Sequence, residues 1–437
     1  MGMIKYLKGK FRRKDRYAGG IEEMRAGSDV QPASLVLRRL GTMIVDASAA
    51  SDAKDYKKWT DGIQNRSIFP SPDCESLPFQ YESVIEPGFD PQDKKNSSRC
   101  QDDIILVQNC GEKKDCTLVC VFDGHGPNGG RVAAWLCRNL LKIVRKNSLP
   151  EIPMQDVFTT SFEVAHDQIT RSGVDVSMSG STGLLCMLDK KSMHIGWAGD
   201  CRAVIGFCGD DGVVRAKALT TDHKPGNPTE KARIEAYGGM VGIAGDDIDQ
   251  VERLFDADKF KSGHLLPGLS LSRAIGNADA TELGLVSTPD YVHHDINQKA
   301  DRFLLMATDG LWDVFDNDEV VRWVDDYVKS KTKDGILPGH EGNCDGVLLA
   351  CQELALEAQR RWIDKFQKEL TVDDVSISIV WIVPTSETYP GIHYFVDNRN
   401  AVEESHEKPA ERRSSSSKDY CRTSIGTEIC EGRPHLE

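Results

Sequence analysis

LVCVFDGHGPNGG, residues 118–130, is the stretch on which the reading of this chain turns. Leu118 to Phe122 is a short apolar run bounded by polar turn formers, the pattern of a buried β-strand. The strand ends on a carboxylate, Asp123, and a glycine-rich turn then opens a helix near Arg131. Gly124, Gly126 and Gly129 formally match the dinucleotide-binding pattern G-x-G-x-x-G. Asp123 opposes that reading, because it puts negative charge where a pyrophosphate must approach. The ribose-binding acid due some 20 residues on is also missing, since Lys142, Ile143 and Val144 stand there. The glycines instead let the backbone approach a metal ion, with Asp123 as ligand. Taken alone, a turn with a solvated aspartate competes fairly with that reading.

Three further segments repeat the form: CQDDIILV (100–107), FLLMATDGLWDV (303–314) and TVDDVSISI (371–379). Each sets one or two aspartates at the edge of an apolar strand. Singly, Asp309 reads equally well as a helix cap, and Asp373-Asp374 as an acidic turn. Four such edges in one domain carry more weight, because crowded carboxylates need a positive partner. Mg²⁺ and Mn²⁺ prefer oxygen ligands, and a pair of such ions makes a hydrolytic site for phosphate esters.

Outward from these segments, strands are predicted at 79–85, 104–107, 118–122, 183–188, 193–197, 203–207, 213–218, 303–307 and 375–382. Helical periodicity covers 131–145, 156–169, 229–237, 319–329 and 346–369. Strands come in antiparallel-looking pairs with long helices between groups, which predicts an α+β sandwich with helices outside. Residues 1–76 read as a basic, then poorly ordered leader, 77–387 as one catalytic domain, and 388–437 as a disordered tail containing Arg412-Arg413 and four serines.

The formal net charge of −14 argues against nucleic acid as the main ligand. No apolar run is long enough for a transmembrane helix, and no secretory signal is evident. Thirteen cysteines include no Cys-x-x-Cys pair. Cys120, Cys137, Cys186 and Cys351 lie in apolar stretches, as reduced core thiols of an intracellular protein do.

The ordered set DGHG (123–126), SGSTG (179–183), GDCRAV (199–204), DHKP (222–225), LSRAIG (271–276), DGLWD (309–313) and DDVS (373–376) resembles the type 2C family of metal-dependent serine/threonine protein phosphatases. The likeness runs from about residue 80 to 385. It implies a central β-sandwich of two antiparallel sheets flanked by pairs of antiparallel helices. It also implies phosphoprotein substrates, two Mg²⁺ or Mn²⁺ ions with a weaker third, and a monomer. By position, the resemblance implies that Asp123 would bridge two metals, with the Gly124 carbonyl a ligand to one of them. Asp102, Asp309 and Asp373 would bind metal directly or through water, and Asp200 falls where family members can hold the third ion together with Asp309 and Asp313. His125 falls where the family's general acid lies. Lys95 or Arg99 would grip the substrate phosphate. The implied reaction is hydrolysis by a metal-bridging hydroxide, with no covalent intermediate.

Gln101 stands where animal members often carry Glu, Asn277 where Asp is usual, and Asp374 where Asn is usual. Asn277 and Asp374 favour an alternative, a pseudophosphatase scaffold, which the intact Asp102, Asp123, Gly124, Asp309 and Asp373 oppose. Residues 226–268, with Asp246, Asp247 and Asp249, read as a variable flap that biases docking. A cytoplasmic or nuclear location is expected. Gly2 meets one requirement for myristoylation, whereas Tyr6 replaces the usual Ser or Thr. The first 17 residues hold seven Lys or Arg against one Asp, a second signal for peripheral membrane contact.

Overall fold

The computed structural model describes residues 43–46, 79–89, 100–108, 110, 116–244, 250–264, 267–331, 346–366 and 371–382. All of them fall within one compact unit, Met1–Val396. The basic N-terminus with Gly2 and Tyr6, both Lys95 and Arg99, the acidic triplet Asp246, Asp247 and Asp249, and the tail from 388 lie outside the described residues.

Two sheets make the centre. The first runs β1 (Met43–Asp46), β3 (Asp103–Gln108), β4 (Thr117–Phe122), β7 (Gly183–Leu188), β8 (Ser192–Ala198), β15 (Asp290–Asp295). The second runs β10 (Val214–Ala218), β9 (Arg202–Cys208), β16 (Asp301–Ala307), β17 (Val375–Ile382), β2 (Phe79–Glu86). Pairing is antiparallel throughout both sheets except at β1, which adds to the β3 edge in parallel from within the stretch read as a leader.

Strand periodicity distributes the core. In β3, Ile104 and Leu106 enter the layer between the sheets, whereas Ile105 and Val107 join the layer under two helices, α1 (Gly129–Asn147) and α2 (Met154–Thr170). In β16, Leu304 and Met306 point between the sheets. Phe303, Leu305 and Ala307 pack toward the last two helices, which cover 317–331 and 346–366. Burial on both faces is why these strands read as unbroken apolar runs. Cys120, Cys137, Cys186 and Cys351 are buried in these layers.

The stretch between DHKP and LSRAIG folds as α3 (Pro228–Ala236), β11 (Gly239–Gly242), β12 (Arg253–Asp256), α4 (Ala257–Lys261) and β13 (Pro267–Leu269). Its Ile234, Val241 and Leu254 form a small core together with Leu271 and Ala274 of LSRAIG and Leu285 beyond it. The remaining pieces are a mini-sheet, in which β5 (Gly124–His125) pairs with β6 (Gly180–Ser181) and β6 with β14 (Ile275–Gly276), and four helices. These are α5 (Ala278–Thr281), α6 (Asp309–Trp312), α7 (Asn317–Lys331) and α8 (Gly346–Phe366). No helix among the described residues is long and apolar enough to cross a membrane.

Candidate active site

The seven motifs meet at one end of the sandwich, three in the mini-sheet and the other four as two pairs. The mini-sheet lines DGHG, SGSTG and LSRAIG side by side. Asp123, just past β4, is fixed reciprocally: its N–H donates to Thr182 Oγ1 at 3.0 Å, and the Thr182 N–H donates to its carbonyl at 2.8 Å. Asp309 opens α6 at the end of β16. Two indoles hold that turn, Trp312 Nε1 donating to the Ala307 carbonyl at 3.0 Å and Trp362 Nε1 to the Gly310 carbonyl at 2.7 Å.

Asp200 enters from the turn between β8 and β9. Carboxylate oxygens of Asp123, Asp200 and Asp309 lie within 4.8 Å of one another, although the three residues come from segments far apart in the chain. Asp200 is buried, and its Oδ1 has no hydrogen-bond partner. Three hard oxygen donors close together, one of them from a buried carboxylate with an unpaired oxygen, fit a divalent cation.

Asp102 and Asp373 flank this trio rather than joining it. Asp102 is buried and accepts from Thr308 Oγ1 at 3.0 Å, which itself accepts from the Ser376 N–H, so the DDVS strand and the DGLW turn share one hydroxyl. Asp373 and Asp313, the latter one turn beyond Asp309, lie at the rim of the cluster, partly open to solvent and partly desolvated by it. All feel one another's charge. Burial first, then neighbouring carboxylates, hold Asp102, Asp123 and Asp309 well above the usual carboxylate range. Asp313 is raised for the same reasons, and Asp373 is pushed up to about 6.

His125 follows Gly124 on β5. Its Nε2 lies 2.7 Å from Asn277 Oδ1. An amide oxygen only accepts, so Nε2 carries a hydrogen there. The other ring nitrogen, Nδ1, is buried without a partner. Burial lowers the ring's pKa below its ordinary 6.5. A side chain at position 180 would obstruct this pair, since a Cβ there would stand 1.9 Å from Asn277 Oδ1, which is why glycine occupies the site. Asn277 itself adopts a left-handed conformation, φ 50°, which Asn tolerates better than most residues.

Asp374, the other departure noted in the sequence, acts as a clamp. Its carboxylate accepts from the Gly88 N–H at 2.6 Å and the Gln101 N–H at 2.8 Å, tying the segment before Asp102 to the start of β17. Removing it strands two buried or half-buried donors. Asp374→Ala is therefore expected to cost about 1–3 kcal/mol of stability, read from the denaturant midpoint.

Sequence reasoning quoted DHKP without giving its residues a role. The motif docks onto GDCRAV, bond by bond. Asp222 takes a two-pronged pair from Arg202 at 2.9 and 2.7 Å. His223 Nδ1 accepts from the Gly199 N–H at 3.1 Å, and Lys224 Nζ donates to Asp200 Oδ2 at 2.6 Å. The alternation of acid, imidazole and ammonium was the available signal, but its partners lie some twenty residues upstream. The two candidate phosphate grips, Lys95 and Arg99, lie outside the described residues.

Two packed sheets with converging carboxylates at one end make an arrangement suited to holding a divalent cation. The sequence model of the protein phosphatase 2C family matches residues 89–362. Probable protein phosphatase 2C 72 of Arabidopsis thaliana is 33% identical over 233 residues, covering 51% of this chain and 68% of that protein. Probable protein phosphatase 2C 73 of the same plant is 29% identical over 318 residues, covering 67% and 78%. A crystal structure of serine-threonine phosphatase 2C from Toxoplasma gondii shares the fold, with TM-score 0.55 at 21% identity, covering 72% of this chain and 98% of that one. The chain belongs to the protein phosphatase 2C family and is a protein-serine/threonine phosphatase.

Proposed function

We propose that this phosphatase hydrolyses phosphoserine and phosphothreonine esters in proteins directly with water, at paired divalent cations and without a covalent enzyme intermediate. The observation that carries the reading is the convergence of Asp123, Asp200 and Asp309, with one Asp200 oxygen buried and unpartnered. What Mg²⁺ or Mn²⁺ supplies when bound there is a water acidic enough to attack phosphorus at neutral pH. The chain's own residues do the rest. Asp123 and Asp309, with Asp102 and Asp373 beside them, concentrate negative charge that holds such ions, and the Gly124 carbonyl adds a neutral oxygen. His125 offers Nδ1 toward the departing Ser or Thr oxygen while Asn277 fixes the ring through Nε2.

The cysteines beside the cluster do not offer a covalent route. Burial, with the nearby aspartates, pushes the thiols of Cys100 and Cys201 far above the range in which a thiolate forms. Nor do the two departures support a non-catalytic scaffold: Asn277 orients His125, and Asp374 anchors the strand edge that carries Asp102.

Stripping the protein with EDTA is expected to abolish phosphate release from a phosphothreonine peptide, and Mn²⁺ to restore it. Activity that survives complete metal removal would contradict the reading. Stability follows the same logic. Carboxylates whose folded pKa lies above the unfolded value stabilise the fold when protonated, and that contribution is lost as pH rises through the folded pKa. For Asp373 this window runs from about 4 to about 6, and for Asp102, Asp123 and Asp309 it extends higher. The EDTA-treated protein is therefore expected to melt lower at pH 7.5 than at pH 5. Mg²⁺ at about 100 times its dissociation constant should return about 2.7 kcal/mol, and a melting temperature indifferent to metal at pH 7.5 would count against the cluster.

A further inference from the structure

The acidic cluster already carries a cation of the chain's own. Lys224 Nζ lies 2.6 Å from Asp200 Oδ2, on the same carboxylate whose Oδ1 is buried and unpartnered. Among the described residues this is the one ion pair made to Asp123, Asp200 or Asp309. The ammonium also acts on the charges of Asp309 and Asp313.

The lysine is delivered rather than merely nearby. The two residues before it are pinned to the segment on either side of Asp200. Asp222 is held by Arg202, and His223 exchanges bonds with Gly199 through its N–H to the Gly199 carbonyl at 3.0 Å and through Nδ1. The stem of Lys224 is thus aimed at Asp200, while its side chain keeps 31% exposure and has room to withdraw.

We propose that Lys224 is an exchangeable counter-ion of the active site, competing with a divalent cation for Asp200 and so setting how tightly the Asp200 end of the cluster takes its most weakly held ion. This rests on the reading of the cluster as a divalent-cation site. The argument is electrostatic. A carboxylate that gives one oxygen to an ammonium is a poorer donor to a second cation, and two positive charges a few ångströms apart repel in a partly buried setting. Either Lys224 leaves Asp200 when the ion binds or the ion binds against its charge. In both cases the lysine lowers affinity at that position and leaves the Asp123–Asp309 side less affected. A role limited to bracing DHKP against GDCRAV predicts no such effect, because Asp222 and His223 make that junction without it.

The test is Mn²⁺ titration of the EDTA-stripped full chain at pH 7. Calorimetry gives the stoichiometry, and the free Mn²⁺ signal in electron paramagnetic resonance gives the affinities. Two neutral replacements, Lys224→Gln and Lys224→Met, are each expected to tighten the weakest Mn²⁺ at least tenfold. Lys224→Arg, which keeps the charge, should stay within about threefold of wild type. Adding Asp200→Asn to Lys224→Gln should erase the gain. Using two neutral variants, with melting curves for each, keeps a folding defect in one from deciding the matter. Unchanged or weaker Mn²⁺ binding in a folded neutral variant overturns the proposal while leaving the metal reading intact. If the wild type binds no Mn²⁺ at all, the metal reading falls and takes this proposal with it.

Discussion

Asp123→Asn and Asp309→Asn are each expected to lower kcat for Mn²⁺-dependent hydrolysis of a phosphothreonine peptide by on the order of 10³-fold, the several kcal/mol that a bound cation contributes to charge stabilisation. Both residues stand in the group whose oxygens converge within 4.8 Å. The substitution keeps shape and removes one negative charge, so the ligand weakens while packing barely changes. The fold should survive, and the metal-free protein should even gain stability. Carboxylates held above their ordinary pKa by burial and mutual repulsion are costly when ionised. The pairing of lost activity with an unchanged or raised metal-free melting temperature distinguishes a ligand from a structural residue. Retained activity in both variants would remove these aspartates from the chemistry.

His125→Ala is expected to slow phosphoserine and phosphothreonine peptides by roughly 10²–10⁴-fold, the usual contribution of a positioned general acid. An aryl phosphate should be slowed far less, because a phenolate leaves without needing a proton. The geometry behind this is the free Nδ1, with Nε2 engaged by Asn277. Burial holds the ring's pKa below 6.5, so its acid form fades as pH rises through that lowered value. The ratio of wild-type to variant rate on the peptide should therefore be largest at acid pH and shrink toward alkaline pH. Equal slowing of peptide and aryl substrates at every pH would assign His125 a packing role instead.

How much of this was legible in the chain depends on whether the signal was local. Strands β3, β4, β7, β16 and β17 announced themselves because burial on both faces demands unbroken apolar runs. Strand β15, DYVHHD, did not. It is the edge of its sheet and half exposed, so polar residues occupy most of its length. The two-residue strands of the mini-sheet have no periodicity to detect. They are made by segments far apart in the chain, with Gly276 so close to the Ser179–Gly180 backbone that a Cβ would collide, which is a tertiary fact.

The site divides in the same way. Asp123 and Asp309 were readable as carboxylates closing apolar strands, and family likeness added Asp200. What could not be read were the pairings: His125 with Asn277 across 152 residues, Asp374 with Gly88 across 286, and the tight grouping of Asp200 with Asp123 and Asp309 ahead of Asp102 and Asp373. Substitutions that look like departures, Asn277 and Asp374, acquire a purpose only when their partners are seen.

Aspartates drawn together from distant segments are expected to hold two divalent cations side by side. Anomalous scattering from crystals of the protein grown with MnCl₂ tests it most directly. Two manganese peaks about 3.5–4 Å apart, with Asp123 between them and Asp309 beside one, are the predicted result. A lone peak, or none within reach of Asp123, would contradict it.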